Sequence, residues 1–557
     1  MSTTASPMTA PPMTAPPGAG NQPVGAWTPL RRPVFRALWL ATLVSNVGTW
    51  MHDVGAAWMM ATLAPSPLMV ALVQAATTLP VFLLALPSGV LADIFDRRRF
   101  LIYAQLWGAA AAAGLGAAAL AGLVTPPVLL LFTFLIGVSA AASAPAFQAI
   151  VPELVPRSEL PAAVALNSLS INVSRAIGPA VGGFIVAASG LVAVFVLNAV
   201  SFFAVIAVLL TWRREVPSSG LPREPFFGAM RTGLRYVRSA PDFRRVLVRA
   251  VAFFLSASAV WALLPVVARD RLGLDATGYG FLLAALGAGA VAGALVLPRL
   301  RRRFSNNRLS VGATVLFAAV SVALALLRQP AAAGIALALA GAGWITVLSS
   351  FHVAGQTSLP GWVKARGLSL FLVVFFGAMA AGSSLWGHVA ASHGIPAALL
   401  AAAAGLILGL VVVPWNPLRA VDQGDLAPSA HWRRPPVHAE PAPGRGPALV
   451  TVEYRIPAAN TAAFLGHMRD LEASRRRGGA QDWAVYEDVA RPGRWLETFV
   501  TASWLDHLRQ HDRVTMADRR LQEAIMALCE PGTTPQVEHF VGPARSRSAG
   551  ATTSAPE

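Results

Sequence analysis

Residues 89–101 read Gly-Val-Leu-Ala-Asp-Ile-Phe-Asp-Arg-Arg-Arg-Phe-Leu. Asp93 closes one apolar run, and Arg97, Arg98 and Arg99 open the next. The runs on both sides, 68–92 and 100–122, exceed the roughly 20 residues that a helix needs to cross hydrocarbon. A charged hinge between two such runs is the short loop of a polytopic membrane protein. Gly89 allows close helix approach. An Asp at position 93 can cap a helix end or pair across helices.

Working outward, the same reading gives twelve candidate spans. They are 36–62, 68–92, 100–122, 127–149, 160–188, 191–212, 246–268, 277–299, 308–328, 331–352, 367–391 and 395–414. Basic loops alternate with loops that are nearly free of Lys and Arg. Arg31, Arg32 and Arg36 lead into the first span, and Arg97–Arg99 lie between the second and third. The sixth and seventh spans are joined by a loop containing Arg213, Arg214, Arg231, Arg235 and Arg238. Arg301–Arg303 and the Lys364/Arg366 pair complete the series, while Arg269, Arg271 and Arg328 are exceptions. Basic loops face the cytoplasm, so both termini are expected there, in a multi-pass protein of the bacterial cytoplasmic membrane.

The composition agrees. Of 557 residues, 55% are hydrophobic and 13% charged, against about 25% charged in an ordinary soluble domain. Mean hydropathy is +0.56. This excludes a disordered chain and an ordinary cytosolic enzyme. A single Cys cannot form a disulfide within its chain. The net charge of +17 invites a nucleic-acid reading. Yet residues 1–447 carry +18 and residues 448–541 carry −2. The excess belongs to the membrane part, where it meets anionic lipid, and no nucleic-acid partner is expected.

The expected organisation is an all-α membrane protein of two six-helix halves followed by a small α+β domain. A disordered tail (1–30) precedes the first half (31–212), a cytoplasmic linker (213–245) and the second half (246–415). Within 226–245, Phe227, Met230, Leu234 and Val237 alternate helically with Arg231, Arg235 and Arg238. That pattern predicts an amphipathic interfacial helix. A Pro/Arg-rich linker (416–447) leads to a domain at 448–541 and a disordered tail at 542–557. In that domain, strand-like alternation and helical spacing succeed each other in the order β-α-β-β-α-β, the ferredoxin-like pattern.

The 89–101 stretch resembles the loop 2–3 signature of the major facilitator superfamily, with Asp96 where that pattern usually has Gly. The resemblance implies two halves rocking about a central cavity, with Gly89, Asp93, Arg97 and Arg98 forming a conformational latch. A closer resemblance is carried by SNVGTWMHDVGAAWMM (45–60), APAFQAIVPELVPRSELPAAVALNSLSINVSRAIGPAVGGFIV (144–186) and SWLDHLRQHDRVTMADRRLQ (503–522). These look like the transmembrane secretion effector, or enterobactin-exporter-like, family. That resemblance implies export of a small hydrophobic or amphipathic compound, such as a drug or siderophore, by proton antiport. Small-molecule substrate, protons and the lipid bilayer are then the partners.

Ionisable residues inside a span are costly and mark function by default. Asp53 lies midway along the first span beside His52, and a carboxylate that loads and releases a proton is what an antiporter needs. Arg175 in the fifth span can pair with Asp53 or attract an anionic substrate; a static Asp–Arg pair holding the bundle together is the alternative. Asn167 and Asn172 precede Arg175 on the same span and are candidate substrate-cavity residues. Gly178, Pro179, Gly182 and Gly183 form a small-residue face for helix packing. Asn46, Trp50, Gln74 and Gln148 are candidate polar cavity residues, and Trp58, Trp261, Trp344 and Phe375 are candidates to stack a flat ligand. His352, Gln356, His388 and His393 stand near span ends.

No Walker A sequence, HExxH or CxxC occurs, and no cofactor or metal is expected. The run 286–295 contains Gly287, Gly289 and Gly293 inside an apolar span, which is helix packing rather than a nucleotide loop. The C-terminal domain resembles the antibiotic-biosynthesis-monooxygenase-like dimeric α/β barrel, which implies a homodimer through this domain. His507 and His511 have an i, i+4 spacing compatible with a metal, but their polar neighbours predict a solvated face. Two competing functions remain: a membrane-tethered oxygenase-like enzyme, or a ligand sensor acting through the C-terminal domain.

Overall fold

The computed structural model describes residues 25–543, except 65, 157, 213–239, 361, 419–423, 430, 433–436, 440 and 443, and except the side chains of 90, 92–94 and 365. Most of the expected amphipathic helix at 226–245 and most of both tails lie outside the described residues, as does the Asp93 side chain. Within the first tail, Thr28–Arg31 forms a 3-10 turn rather than disordered chain.

The membrane part is helical throughout. Its helices are α1 (Pro33–Leu63), α2 (Pro67–Ile94), α3 (Arg97–Leu120), α4 (Pro126–Leu154), α5 (Leu160–Thr211) and α6 (Pro241–Val266). They continue with α7 (Ala276–Arg301), α8 (Asn306–Leu326), α9 (Pro330–Thr357), α10 (Lys364–His393) and α11 (Ile395–Gly409). Local chemistry sets the starts. Seven of them carry Pro in the first turn, where its fixed φ suits a helix and its missing N–H costs nothing. Asp96, Asp275 and Ser305 cap α3, α7 and α8 through their side chains. Gly190, at φ 80°, breaks α5 into two arms, a left-handed conformation that favours glycine.

Among the described residues, ten helices are long and apolar enough to cross a membrane, with α5 counted once. The helix α1 falls outside that set. It carries His52 and Asp53 in its middle.

Small residues set where the helices touch. A Cβ at Gly178 would meet Trp50 Cβ at 2.5 Å, and one at Gly182 would meet Met51 Cα at 2.8 Å, so this face of α5 packs on α1. A Cβ at Gly183 would lie 2.6 Å from the Ala276 carbonyl and 3.1 Å from Gly280 Cα. Gly280 in turn approaches the Pro179 carbonyl. The first and second sets of helices therefore meet backbone to backbone here. Gly387 on α10 similarly sits against Leu68 and Ala71 at the start of α2. At the opposite end of α2, a Cβ on Gly89 would meet nothing within 4 Å. The expectation that Gly89 permits close packing is thus corrected: it faces open space.

The C-terminal domain has β1 (Ala448–Arg455), α12 (Thr461–Gly478), β2 (Gln481–Glu487), β3 (Arg494–Thr501), α13 (Trp504–Arg513), α14 (Met516–Met526) and β4 (Gln536–Val541). The strands order β2-β3-β1-β4, with every pairing antiparallel. Val450, Val452, Tyr454, Trp495 and Phe499 on one sheet face bury against Phe464, Met468 and Leu471 of α12. The chain before β1 is strapped to this domain. Met516 N–H donates to the Ala427 carbonyl at 2.9 Å, and Trp432 Nε1 donates to Gln522 Oε1 at 2.8 Å.

Candidate functional site

A cavity of about 300 Å³ lies inside the bundle, at the lower end of the size range of small-molecule sites. Three helices bring its polar chemistry together. Trp50 and Asp53 come from α1, Gln74, Thr77 and Thr78 from α2, and Arg175 from α5. The other wall is aromatic: Trp261, Tyr279, Trp344, Phe375 and Phe376. Trp261 and Trp344 cross edge to face at 5.3 Å, and Phe375 and Phe376 at 4.8 Å. Trp58 stacks on Tyr279 with centroids 6.0 Å apart. Such pairs hold ring orientations, so this wall is rigid.

Seven of the sequence candidates thus share one space: Trp50, Asp53, Gln74, Arg175, Trp261, Trp344 and Phe375. Five others do not line it, Trp58, Asn46, Gln148, Asn167 and Asn172, which corrects their reading as cavity residues. Gln148 is exposed on α4. The Asn172 amide bonds back to the Ser168 carbonyl at 2.8 Å. Asn46 and Asn167 lie on earlier turns of α1 and α5 than Trp50 and Arg175. Period alone cannot set the rotation of a helix that is apolar nearly all round. Tyr279, Thr77 and Thr78 were missed; a lone Tyr in an apolar span was the available signal.

Asp53 and Arg175 make no ion pair with each other within 4.0 Å. The static pair considered from sequence is therefore not formed. Asp53 has no hydrogen-bond or ion-pair partner among the described residues. The Arg175 guanidinium lies 5.6 Å from the Trp50 ring centroid, and its buried Nε is without a partner. His52, next to Asp53, points away from the cavity. It is 1% exposed, neither ring nitrogen is bonded, and it packs on Phe195 at 5.1 Å.

The hinge between α2 and α3 ties that end of the bundle together. Arg97 Nη1 donates to Glu153 Oε1 at 3.0 Å and to the Ala149 carbonyl at 3.2 Å. Arg98 donates to the Leu209 and Leu210 carbonyls at the end of α5. Asp96, the departure from the familiar pattern, caps α3 through the Arg99 N–H at 2.9 Å. The corresponding hinge of the second set of helices uses Arg301, bonded to Ser349 at 2.8 Å. Arg249, not singled out from sequence, is 4% exposed and donates to Asn307 and Ser310 of α8.

The C-terminal domain holds a second group of chemically active side chains. The face of α13 toward the sheet carries Trp504, His507 and Gln510, all buried. The expectation of a solvated face is therefore corrected: His507 is 1% exposed. Burial, with His511 and His539 beside it, pushes His507 down to about 3, so its ring is uncharged at neutral pH. The same helix ends at Arg513, whose guanidinium stacks 4.6 Å from the Trp362 ring ahead of α10.

Comparison with known proteins places these features. The model of a family described as transmembrane secretion effector matches residues 24–547. The enterobactin exporter EntS of Escherichia coli O1:K1 is 28% identical over 384 residues, 68% of this chain and 90% of that protein. The Salmonella typhimurium enterobactin exporter EntS is 28% identical over 391 residues, 68% of this chain and 92% of that protein. Among solved structures, a bacterial homolog of the human lysosomal transporter Spinster, inward-facing, aligns with a TM-score of 0.56 at 13% identity, over 70% of this chain and 96% of that one. The nucleoside transporter NupG aligns with a TM-score of 0.58 at 11% identity, over 69% and 100%. The chain is a multi-pass membrane protein of the transmembrane secretion effector family, a family of major facilitator transporters.

Proposed function

We propose that the protein is a proton-coupled exporter of a small, aromatic, amphipathic compound, a drug or siderophore, working by alternating access. The observation that carries this is the cavity itself. An unpaired carboxylate and an unpaired guanidinium face one space whose opposite wall is aromatic. Arg175 over Trp50 offers a site for an anionic ring system. Asp53 offers a proton-exchanging group whose ionised form is costly away from water unless something pairs with it. Proton and substrate then compete for one cavity, and that competition is the elementary requirement of antiport. The enterobactin exporters among its relatives support a compound of the siderophore class.

The membrane part makes twelve crossings in two six-helix halves: the ten apolar helices, with α5 counted as two, and α1. The arginine-bearing hinges face the cytoplasm of a bacterial inner membrane, with both termini on that side. Close packing at Gly183 and Gly387, against open space at Gly89, supports a cavity open to the cytoplasm. The residues 448–541 form a ferredoxin-like domain, supported by the strand order β2-β3-β1-β4. It pairs with a second copy through its uncovered sheet face, where Leu449, Tyr486, Leu496 and Phe540 are exposed. The Arg513–Trp362 contact supports a regulatory role for this domain.

The test is transport in inverted vesicles under an imposed proton gradient, with dyes, tetracyclines, macrolides and catecholates as probes. The wild type accumulates at least one class in a gradient-dependent way. Asp53→Asn inserts normally and loses that accumulation. Full gradient-driven transport by Asp53→Asn would remove Asp53 from the coupling.

A further inference from the structure

The C-terminal domain brings together three histidines that no spacing in the sequence unites. His507 and His511 stand one turn apart on α13, and His539 comes from β4. In register, His539 lies opposite Val450, a residue of the buried sheet face, so its ring points into the layer between sheet and helix. One ligand nitrogen from each ring can be chosen so that all lie within 4.8 Å of one another. His507 Nε2 and His511 Nε2 face each other at 3.2 Å. Two imidazoles bound to one tetrahedral ion at bond lengths of about 2.0–2.1 Å would place their nitrogens roughly 3.4 Å apart. That pair already has the spacing of a shared ion, and closing the third ligand from within 4.8 Å needs a shift of up to about 1.4 Å.

We propose that His507, His511 and His539 form a binding site for a divalent transition-metal ion of the zinc class. Three neutral imidazoles select borderline ions such as Zn²⁺, Ni²⁺ or Cu²⁺ over Mg²⁺ or Ca²⁺, which demand oxygen ligands. The set leaves a fourth position open, for water or an incoming group. The surroundings fit this use. Trp504 contacts both His507 and His539, at 5.3 and 6.2 Å, and Trp432 meets His511 edge-on at 5.1 Å. These rings wall the site and limit the rotamers of its ligands. Arg475, whose charge acts on His507, is neutralised by a two-point pair with Glu497.

The experiment uses the full-length protein in detergent, freed of any polyhistidine tag and stripped with chelator. It is titrated with Co²⁺ and then with Zn²⁺ in competition. The expected result is one equivalent bound per chain, visible Co²⁺ ligand-field bands of four-coordinate intensity, and displacement by Zn²⁺. His511→Gln and His539→Gln alter half-buried positions and should keep the fold, checked by circular dichroism. Each should weaken binding by about 100-fold or more. His507→Gln is a third arm, read only if it folds. Absence of stoichiometric binding to the wild type would overturn the site, as would folded His511→Gln and His539→Gln proteins that bind like the wild type.

Discussion

Two carboxylates of this chain sit deep in apolar surroundings, and they are treated in opposite ways. Glu497 on β3 is fully buried and saturated. Arg475 grips it at 2.8 and 3.1 Å, Trp483 Nε1 donates at 2.9 Å and Tyr454 OH at 2.9 Å. The Arg475 guanidinium is itself flanked by Trp432 and Phe499 at 4.7 and 4.8 Å. Asp53 has none of this; it faces an open cavity in which the nearest opposite charge, Arg175, is not in ion-pair contact. A saturated carboxylate has one protonation state and one place, and so serves structure. An unsaturated one can accept a proton or a ligand, which is what the proposed transport requires. The difference lies in the partners: side chains saturate Glu497, whereas Asp53 is left facing the cavity.

The largest effect should come from breaking the saturated pair. Removing one partner of a buried ion pair strands the other and costs about 3–5 kcal/mol. Glu497→Ala strands Arg475 and leaves Trp483 and Tyr454 without their acceptor. Hydrogen exchange of peptides within residues 448–541 of the full-length protein should then speed up by about 100-fold or more, with the membrane helices unchanged. A change below about tenfold would mean that Glu497 is not the anchor its contacts imply.

A smaller effect follows from titrating the same group. Burial pushes the Glu497 carboxyl up, but the Arg475 charge and the hydrogen bonds outweigh this and hold it below the ordinary 4.5. Asp518 behaves alike, held below 3.8 by Arg477, Ser474 and its capping bonds to Thr515 against the upward push of burial. A folded value below the unfolded one means stability that is present above the unfolded value and is lost as pH falls through the folded one. The domain should therefore hold its stability down to about pH 4.5 and lose it progressively below that. Glu497→Gln should flatten this acid limb, because the variant has one fewer proton to take up. An acid limb identical in wild type and Glu497→Gln would assign it to other carboxylates.

Much of this contrast was legible in the chain before folding. The alternation of 494–501 puts Glu497 on the face of Trp495 and Phe499, and the spacing Phe464, Met468, Leu471 puts Arg475 on the same stripe of α12. Asp53 and Arg175 were legible as charges within apolar spans, and the aromatic wall as Trp261, Trp344 and Phe375. What the chain could not reveal depended on rotation and on distance in sequence. Asn46, Gln148, Asn167 and Asn172 failed as cavity residues because α1, α4 and α5 are too uniformly apolar for periodicity to fix their facing. His507 and His511 were legible as an i, i+4 pair, but His539 was not, because β4 reaches α13 only through the sheet.

The smallest effect is the most informative about the cavity. Asp53 has no bond to lose, so Asp53→Asn should change the thermal stability of the detergent-solubilised protein by no more than about 0.5 kcal/mol, even as gradient-driven transport disappears. Arg175→Met adds the second side of a double-mutant cycle. With no ion pair in this conformation, the Asp53–Arg175 coupling energy should be near zero, within the ~0.5 kcal/mol expected of independent sites. A coupling above about 1 kcal/mol would show that the two charges pair in the conformation that dominates in detergent. They would then belong with Glu497 and Arg475 as a structural pair. Near-zero coupling in stability together with loss of transport in both single variants is the signature of charges kept apart for use. No saturated pair can give that combination, because it cannot lose its function without losing its bonds.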